Sequence, residues 1–204
     1  FIFVDDGSTD GSMELVKQQT KDWPNTKYIN QANAGPSTAS NAGAAAAQYE
    51  WLKFVDGDDV LTPWIGKLML DKALEAQVDI LYAFDPEKTY KPNLYPENIL
   101  KLEQPKNVKA EIFENNIRLV FRYGLYGMSN MIVRRNAYLD VGGCDPKVFV
   151  QEHSLSLRLY NNYRTATVNV ISHAYPAIAE GRVSGNIGQL LYDQTLAQNN
   201  FMLE

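Results

Sequence analysis

Five aspartates stand where an open α/β sheet would gather them. Asp5 and Asp6 follow the apolar run FIFV (1–4), and Asp56, Asp58 and Asp59 close and follow the run WLKFV (51–55). In open α/β sheets, ligands bind beyond the carboxyl ends of the strands, so both clusters are expected to face one crevice. Crowded carboxylates repel one another unless a cation joins them. With no compensating lysine expected nearby, they suit a hard divalent ion. Mg²⁺ or Mn²⁺ takes one or two protein carboxylates and completes its shell with water and substrate phosphates. Aspartate also favours turns and caps, so either cluster alone fits a purely structural role. Two clusters at equivalent strand ends point instead to a shared diphosphate-binding site.

The elements that must position them follow from the apolar pattern. FIFV, KYIN (27–30), WLKFVD (51–56) and VDILYAF (78–84) read as strands, with helices over about 12–21, from Pro36 through the alanine-rich stretch, and from Thr62-Pro63 to about Ala76. Pro36 suits the first turn of its helix, and Thr62 is expected to cap the third with Pro63 at its first position. The alternation predicts an α/β domain with a mostly parallel sheet flanked by helices. Residues 85–107 carry four prolines and read as a loop-rich insertion. Beyond it the pattern predicts a helix at about 109–122, a strand over 129–135, a short helix ending at Gly142-Gly143, a helix over 151–162, a strand over 164–172 and a helical tail from Asn186.

Composition narrows the function. The 204 residues are 45% hydrophobic with a net charge of −5. That is enough for one sizeable core, and no clustered basic face suggests nucleic acid as a partner. One cysteine, Cys144, makes no internal disulfide, which fits a reducing, cytoplasmic compartment. No apolar run reaches the roughly 20 residues that span a bilayer. Because the chain opens within an apolar strand pattern, it is expected to be a piece of a longer enzyme.

FVDDGSTDGS, NAGPSTASNAGAAAAQYEWLKFVDGDDVLTP, GGCD and QEHSLSLRL occur in that order between Phe1 and Leu159. In content, order and spacing they resemble the family 2 glycosyltransferases of the GT-A fold. The resemblance implies an inverting transfer of a sugar from a nucleotide-diphosphate donor, a UDP-sugar by expectation, to a hydroxyl of a sugar or lipid-linked glycan. It implies a divalent metal cofactor, Mn²⁺ or Mg²⁺, and a role in polysaccharide or cell-surface glycan synthesis, peripheral at the inner membrane face. Asp5 and Asp6 would then read the nucleotide base and ribose. Asp56 would lie near the ribose and sugar, with Asp58, assisted by Asp56, holding the metal; Asp59 is either a substitute ligand or a turn cap. Gly142 and Gly143 would shape the acceptor side, and Arg182 would close over the diphosphate. The family places a Glu-Asp pair at the start of a helix, and here that pair is Gln151-Glu152. Glu152 therefore stands as the catalytic base, reaching one methylene further than aspartate, with His153 as a rival.

The resemblance also divides the chain into a nucleotide-sugar part (1–84), an acceptor part (108–185) and a helical tail (186–204). Its first strand and helix are expected to precede Phe1. Trp64, Tyr123 and Tyr126 could supply a sugar-stacking face. Ser40-Asn41 departs from the family, which often has a basic residue before that asparagine. Three other readings stay open: a nucleotidyltransferase of similar fold, a non-catalytic nucleotide-sugar binder, and a structural module using acidic turns as caps.

Overall fold

The computed structural model describes residues 1–83, 96–113, 117, 127–174 and 186–203. Its first unit is a parallel pair, β1 (Ile2–Asp5) and β2 (Lys27–Asn30), in the register Ile2↔Lys27 to Asp5↔Asn30 and joined by α1 (Ser12–Gln19). Helix α2 (Pro36–Ala46) packs on β1. Its sequence PSTASNAGAAA is nearly all small residues, so its backbone lies close to the strand. A Cβ at Gly43 would meet Val4 at 3.4 Å.

The central sheet has five strands in the order β3-β7-β5-β8-β6. These are β3 (Trp51–Lys53), β5 (Ile80–Ala83), β6 (Ala110–Phe113), β7 (Met131–Arg134) and β8 (Thr165–Val168). The α/β class expected from the sequence holds, but the sheet is mixed: β5 and β8 are parallel, and the other three pairings are antiparallel. Strand β5 is buried along its whole length, which is why it reads as an unbroken apolar run.

Two apolar layers close on the sheet. Leu81 and Ala83 join Ile65, Leu68, Met69 and Ala73 of α3 (Ile65–Ala76) on one face. Ile80 and Tyr82 join Tyr138 of α5 (Arg135–Asp140) and Leu155, Leu157 and Leu159 of α6 (Gln151–Asn162) on the other. Successive residues of a strand point to opposite faces, so β5 alone serves both layers. A short helix α4 (Pro96–Ile99) contacts the ribbon of β4 (Val60–Leu61) and β9 (His173–Ala174). Helix α7 (Ile187–Leu203) lies along α6. No helix among the described residues is long and apolar enough to cross a membrane.

Several elements differ from expectation, among them β8, which ends at Val168, four residues short of the strand expected over 164–172. Ala110–Phe113, expected within a helix over 109–122, forms β6, paired antiparallel to β8 from Ala110↔Val168 to Phe113↔Thr165. Thr62 does not cap α3. Its hydroxyl donates to the Ser172 carbonyl at 3.3 Å, so the backbone between β4 and α3 is tied to the β9 side and the helix begins at Ile65. Strand β3 ends at Lys53, three residues short of the expected end, because the backbone turns there toward the aspartates.

Candidate active site

The turn after β3 is closed by the Asp59 amide donating to the Asp56 carbonyl at 3.0 Å. Asp58 is exposed, whereas the Asp59 side chain is only 6% accessible. Antiparallel pairing of β4 with β9 sets Leu61 opposite His173. His173 Nε2 consequently lies 3.5 Å from Asp59 Oδ2, and its Nδ1 is 2.8 Å from the Ser172 hydroxyl. Burial, with the Lys53 charge, lowers His173 to about 4. The imidazole is therefore neutral at pH 7, and its contact with Asp59 is not an ion pair.

The expectation of no nearby lysine is wrong. Lys53, the last residue of β3, turns inward and donates to the carbonyls of Phe54 at 2.9 Å and Ser129 at 2.5 Å. Burial pulls its ammonium down to about 8, against the opposing pull of Asp56 and Asp59. Asp56 moves the other way: burial, then the charges of Asp59 and Asp58, raise its carboxyl above the usual range. The turn is an electrostatically loaded site with the Lys53 ammonium beneath it.

Asp56 also connects two distant segments. Its backbone amide donates to Ser129 Oγ at 2.9 Å, and its Oδ1 accepts from Gln151 Nε2 at 3.1 Å. Gln151 Oε1 in turn accepts from the Ser40 hydroxyl of α2 at 2.7 Å. Gln151 opens α6, and Glu152 follows it on that first turn. Burial raises Glu152 to about 7, with the Asp56 charge pushing the same way. His153 Nδ1 is buried without a hydrogen-bond partner, and burial lowers its pKa. The start of α6 is braced by α7: Asp193, 1% exposed, accepts from the Val150 amide at 2.7 Å and from Gln189 Nε2 at 2.7 Å.

At the end of β1, the Asp6 carboxylate folds the segment leading into α2. Its Oδ1 accepts from Gln31 Nε2 at 2.7 Å and the Ala34 amide at 3.0 Å, and its Oδ2 from the Gly35 amide at 2.8 Å. Asp5 Oδ1 accepts from the Ser8 amide at 3.0 Å. Gly142 and Gly143 both adopt positive φ, 77° and 67°, and sit against α2 and α6. Arg158 donates to the carbonyls of Val141 at 2.8 Å and Gly143 at 2.6 Å. A cavity of about 420 Å³ opens beside this turn, lined in part by Cys144, Lys147 and Asn200.

Trp64, one of the aromatics expected to stack on a sugar, is half-buried and donates its indole N–H to the Leu102 carbonyl at 2.7 Å. Arg182, Tyr123 and Tyr126 lie outside the described residues. Among the described residues no group of three or more His, Cys, Asp or Glu is arranged to hold a metal alone. The donor chemistry still fits a hard cation that needs only one or two protein carboxylates, with Asp58 exposed and Asp56 beside it.

Sequence reading missed the partners rather than the motif. Lys53, Ser129 and His173 reach the aspartate turn from β3, the turn before β7 and β9, and only the pairing of those strands brings them together. In the sequence Gln151 is only the first half of the Gln151-Glu152 pair; the fold makes it the link between Asp56 and Ser40. The one available signal was Lys53 itself, a lone charge inside the apolar run WLKFV.

A model of a protein family described as glycosyl transferase family 2 matches residues 1–139. The uncharacterized glycosyltransferase YibD of Escherichia coli K12 is 38% identical over 79 residues, 39% of this chain and 23% of that protein. A poly(ribitol-phosphate) beta-glucosyltransferase of Bacillus spizizenii is 28% identical over 155 residues, 58% of this chain and 24% of that protein. S. aureus TarS 1-349 in complex with UDP-GlcNAc superimposes with a TM-score of 0.65 at 19% identity, over 91% of this chain and 51% of that one, a likeness of fold. The chain spans less than half the length of curated relatives it matches.

Proposed function

This chain belongs to glycosyl transferase family 2, and we propose that it moves a sugar from a nucleotide-diphosphate donor, a UDP-sugar, to an acceptor hydroxyl with inversion at the anomeric carbon. The product is a polysaccharide or another cell-surface glycan. Two relatives, a glycosyltransferase and a poly(ribitol-phosphate) beta-glucosyltransferase, support the reaction class, and the UDP-GlcNAc bound by TarS supports the donor class. One observation carries the reading: a single side chain, Gln151, links the Asp56 carboxylate to the helix start that bears Glu152.

In this reading Asp58, with Asp56, would hold a divalent cation, which when bound supplies Lewis-acid stabilisation of the departing diphosphate. Asp56 orients the ribose and sugar. Asp5 and Asp6 form the nucleotide end, Asp6 acting through the 31–35 segment that it folds. Gly142 and Gly143 shape the acceptor side, and Arg182 closes over the diphosphate. Glu152 takes the acceptor's proton as the hydroxyl attacks. With a pKa near 7 it is basic enough to accept that proton and still ionised to a useful extent at neutral pH. Buried Cys144, a free cysteine, suits action in a reducing cytoplasm.

Replacing Glu152→Gln tests the assignment. Transfer from a UDP-sugar should fall by at least about a hundredfold, in line with loss of a general base, while UDP affinity stays unchanged. Retained transfer would remove Glu152 from the role.

A further inference from the structure

Gln151 presents a neutral amide between two groups of opposite hydrogen-bonding need. An ionised carboxylate only accepts, so Asp56 requires the NH₂ end of the amide. That leaves Oε1 toward α2, where the Ser40 hydroxyl donates to it. The amide is thereby held in one orientation, 8% exposed, with a partner on both ends. Three segments far apart in sequence meet on this side chain: α2, the aspartate turn and the first turn of α6.

We propose that Gln151 is a positioning residue that fixes Asp56 for the donor and locks the donor side to the base side. The inference deepens the glycosyltransferase reading and rests on it. Holding Oδ1 of Asp56 fixes the rotation of that carboxylate, so its second oxygen keeps one direction. The same contact sets how far the first turn of α6 stands from the aspartate turn, and Glu152 is the next residue along. An acidic side chain at 151 could not do this with Asp56 ionised, because two carboxylates about 3 Å apart cannot both stay charged. The neutral amide needs no shared proton. Ser40, on α2, supplies the hydroxyl that completes the chain.

The test uses the full chain with UDP and excess Mn²⁺, reading affinity by calorimetry and folding by thermal melting. Gln151→Glu should weaken UDP binding by about tenfold or more, the scale of a lost hydrogen bond to a charged group. Ser40→Ala, a milder change that leaves residue 151 in place, should weaken it severalfold with little change in melting temperature. The pair S40A/Q151E should bind UDP no more weakly than Q151E alone, because the Ser40 hydroxyl acts only through the amide at 151; that non-additivity is the signature of a linked chain. A Gln151 that only supports the fold would lower the melting temperature, leave UDP affinity unchanged in folded S40A, and show additive effects in the pair. That result overturns the inference. Absence of UDP binding in the unsubstituted, folded chain would overturn the glycosyltransferase reading first, and this inference with it.

Discussion

Asn41 and Cys144 are joined by two hydrogen bonds across 103 residues of chain: the Asn41 Nδ2 donates to the Cys144 carbonyl and its Oδ1 accepts the Cys144 amide, both at 2.8 Å. A side-chain amide here imitates a strand neighbour. The same Oδ1 also accepts the Tyr138 hydroxyl at 2.8 Å. Through Asn41, helix α2 fixes the Gly142-Gly143 turn. Asn41→Ala should cost about 1–3 kcal/mol for each buried group left unpaired. Gly143→Ala should also destabilise, since a Cβ there would overlap Asn41 Oδ1 and approach Tyr138 to 3.0 Å at a φ of 67°. Urea unfolding of both variants checks this; stabilities within about 0.5 kcal/mol of wild type, the range of ordinary surface changes, would contradict it.

The pH dependence should carry the mark of Glu152. With its pKa lifted to about 7 by burial, the side chain is protonated in acid and becomes a base as pH rises through 7, so transfer rate should climb over that interval. The stability contribution runs the other way. The folded state binds this proton more tightly than the unfolded chain does, whose pKa is near the ordinary 4.5. Stability from this group is therefore full below 4.5 and is lost as pH rises toward about 7. Glu152→Gln should flatten that slope in melting curves taken from pH 4.5 to 7. An unchanged slope would mean that Glu152 does not titrate there.

Asp193 offers a test of how α7 supports the site. Its carboxylate takes the Val150 amide just before the Gln151-Glu152 turn. Asp193→Ala leaves that buried N–H unpaired and should lower stability by about 1–3 kcal/mol. Because the displaced segment carries both Gln151, which holds Asp56, and Glu152, transfer and UDP affinity should both fall. Unchanged transfer and UDP affinity in a folded variant would argue against this support.

Much of the fold was legible because apolar runs dictated it. Strands β1, β2 and β5 and helices α1, α2 and α6 fall close to where their patterns place them. Strand β6 was not legible: KAEIFENN contains good helix formers, and its pairing with β8 rather than its own propensity makes it a strand. The turn Asp56-Gly57-Asp58 stood out as a motif, whereas Lys53 did not. Within a strand, alternation alone leaves open whether a lone lysine faces water or an aspartate cluster, and here the Ser129 carbonyl draws it inward. His173 reaches Asp59 only through the β4–β9 pairing, which a two-residue strand scarcely announces. Asp6 was read as a nucleotide contact, and the fold adds that both of its oxygens already bind the segment before α2.

The proposed function requires that a nucleotide diphosphate bind at the Asp56-Gly57-Asp58 turn with a divalent cation. Calorimetric titration of UDP with and without Mn²⁺, on the wild-type chain and on Asp58→Asn, tests it most directly. Binding should depend on the metal and weaken by at least about tenfold in the variant, the scale of one lost charged contact. Binding that ignores both the metal and the substitution, or no binding by a folded wild-type chain, would contradict it.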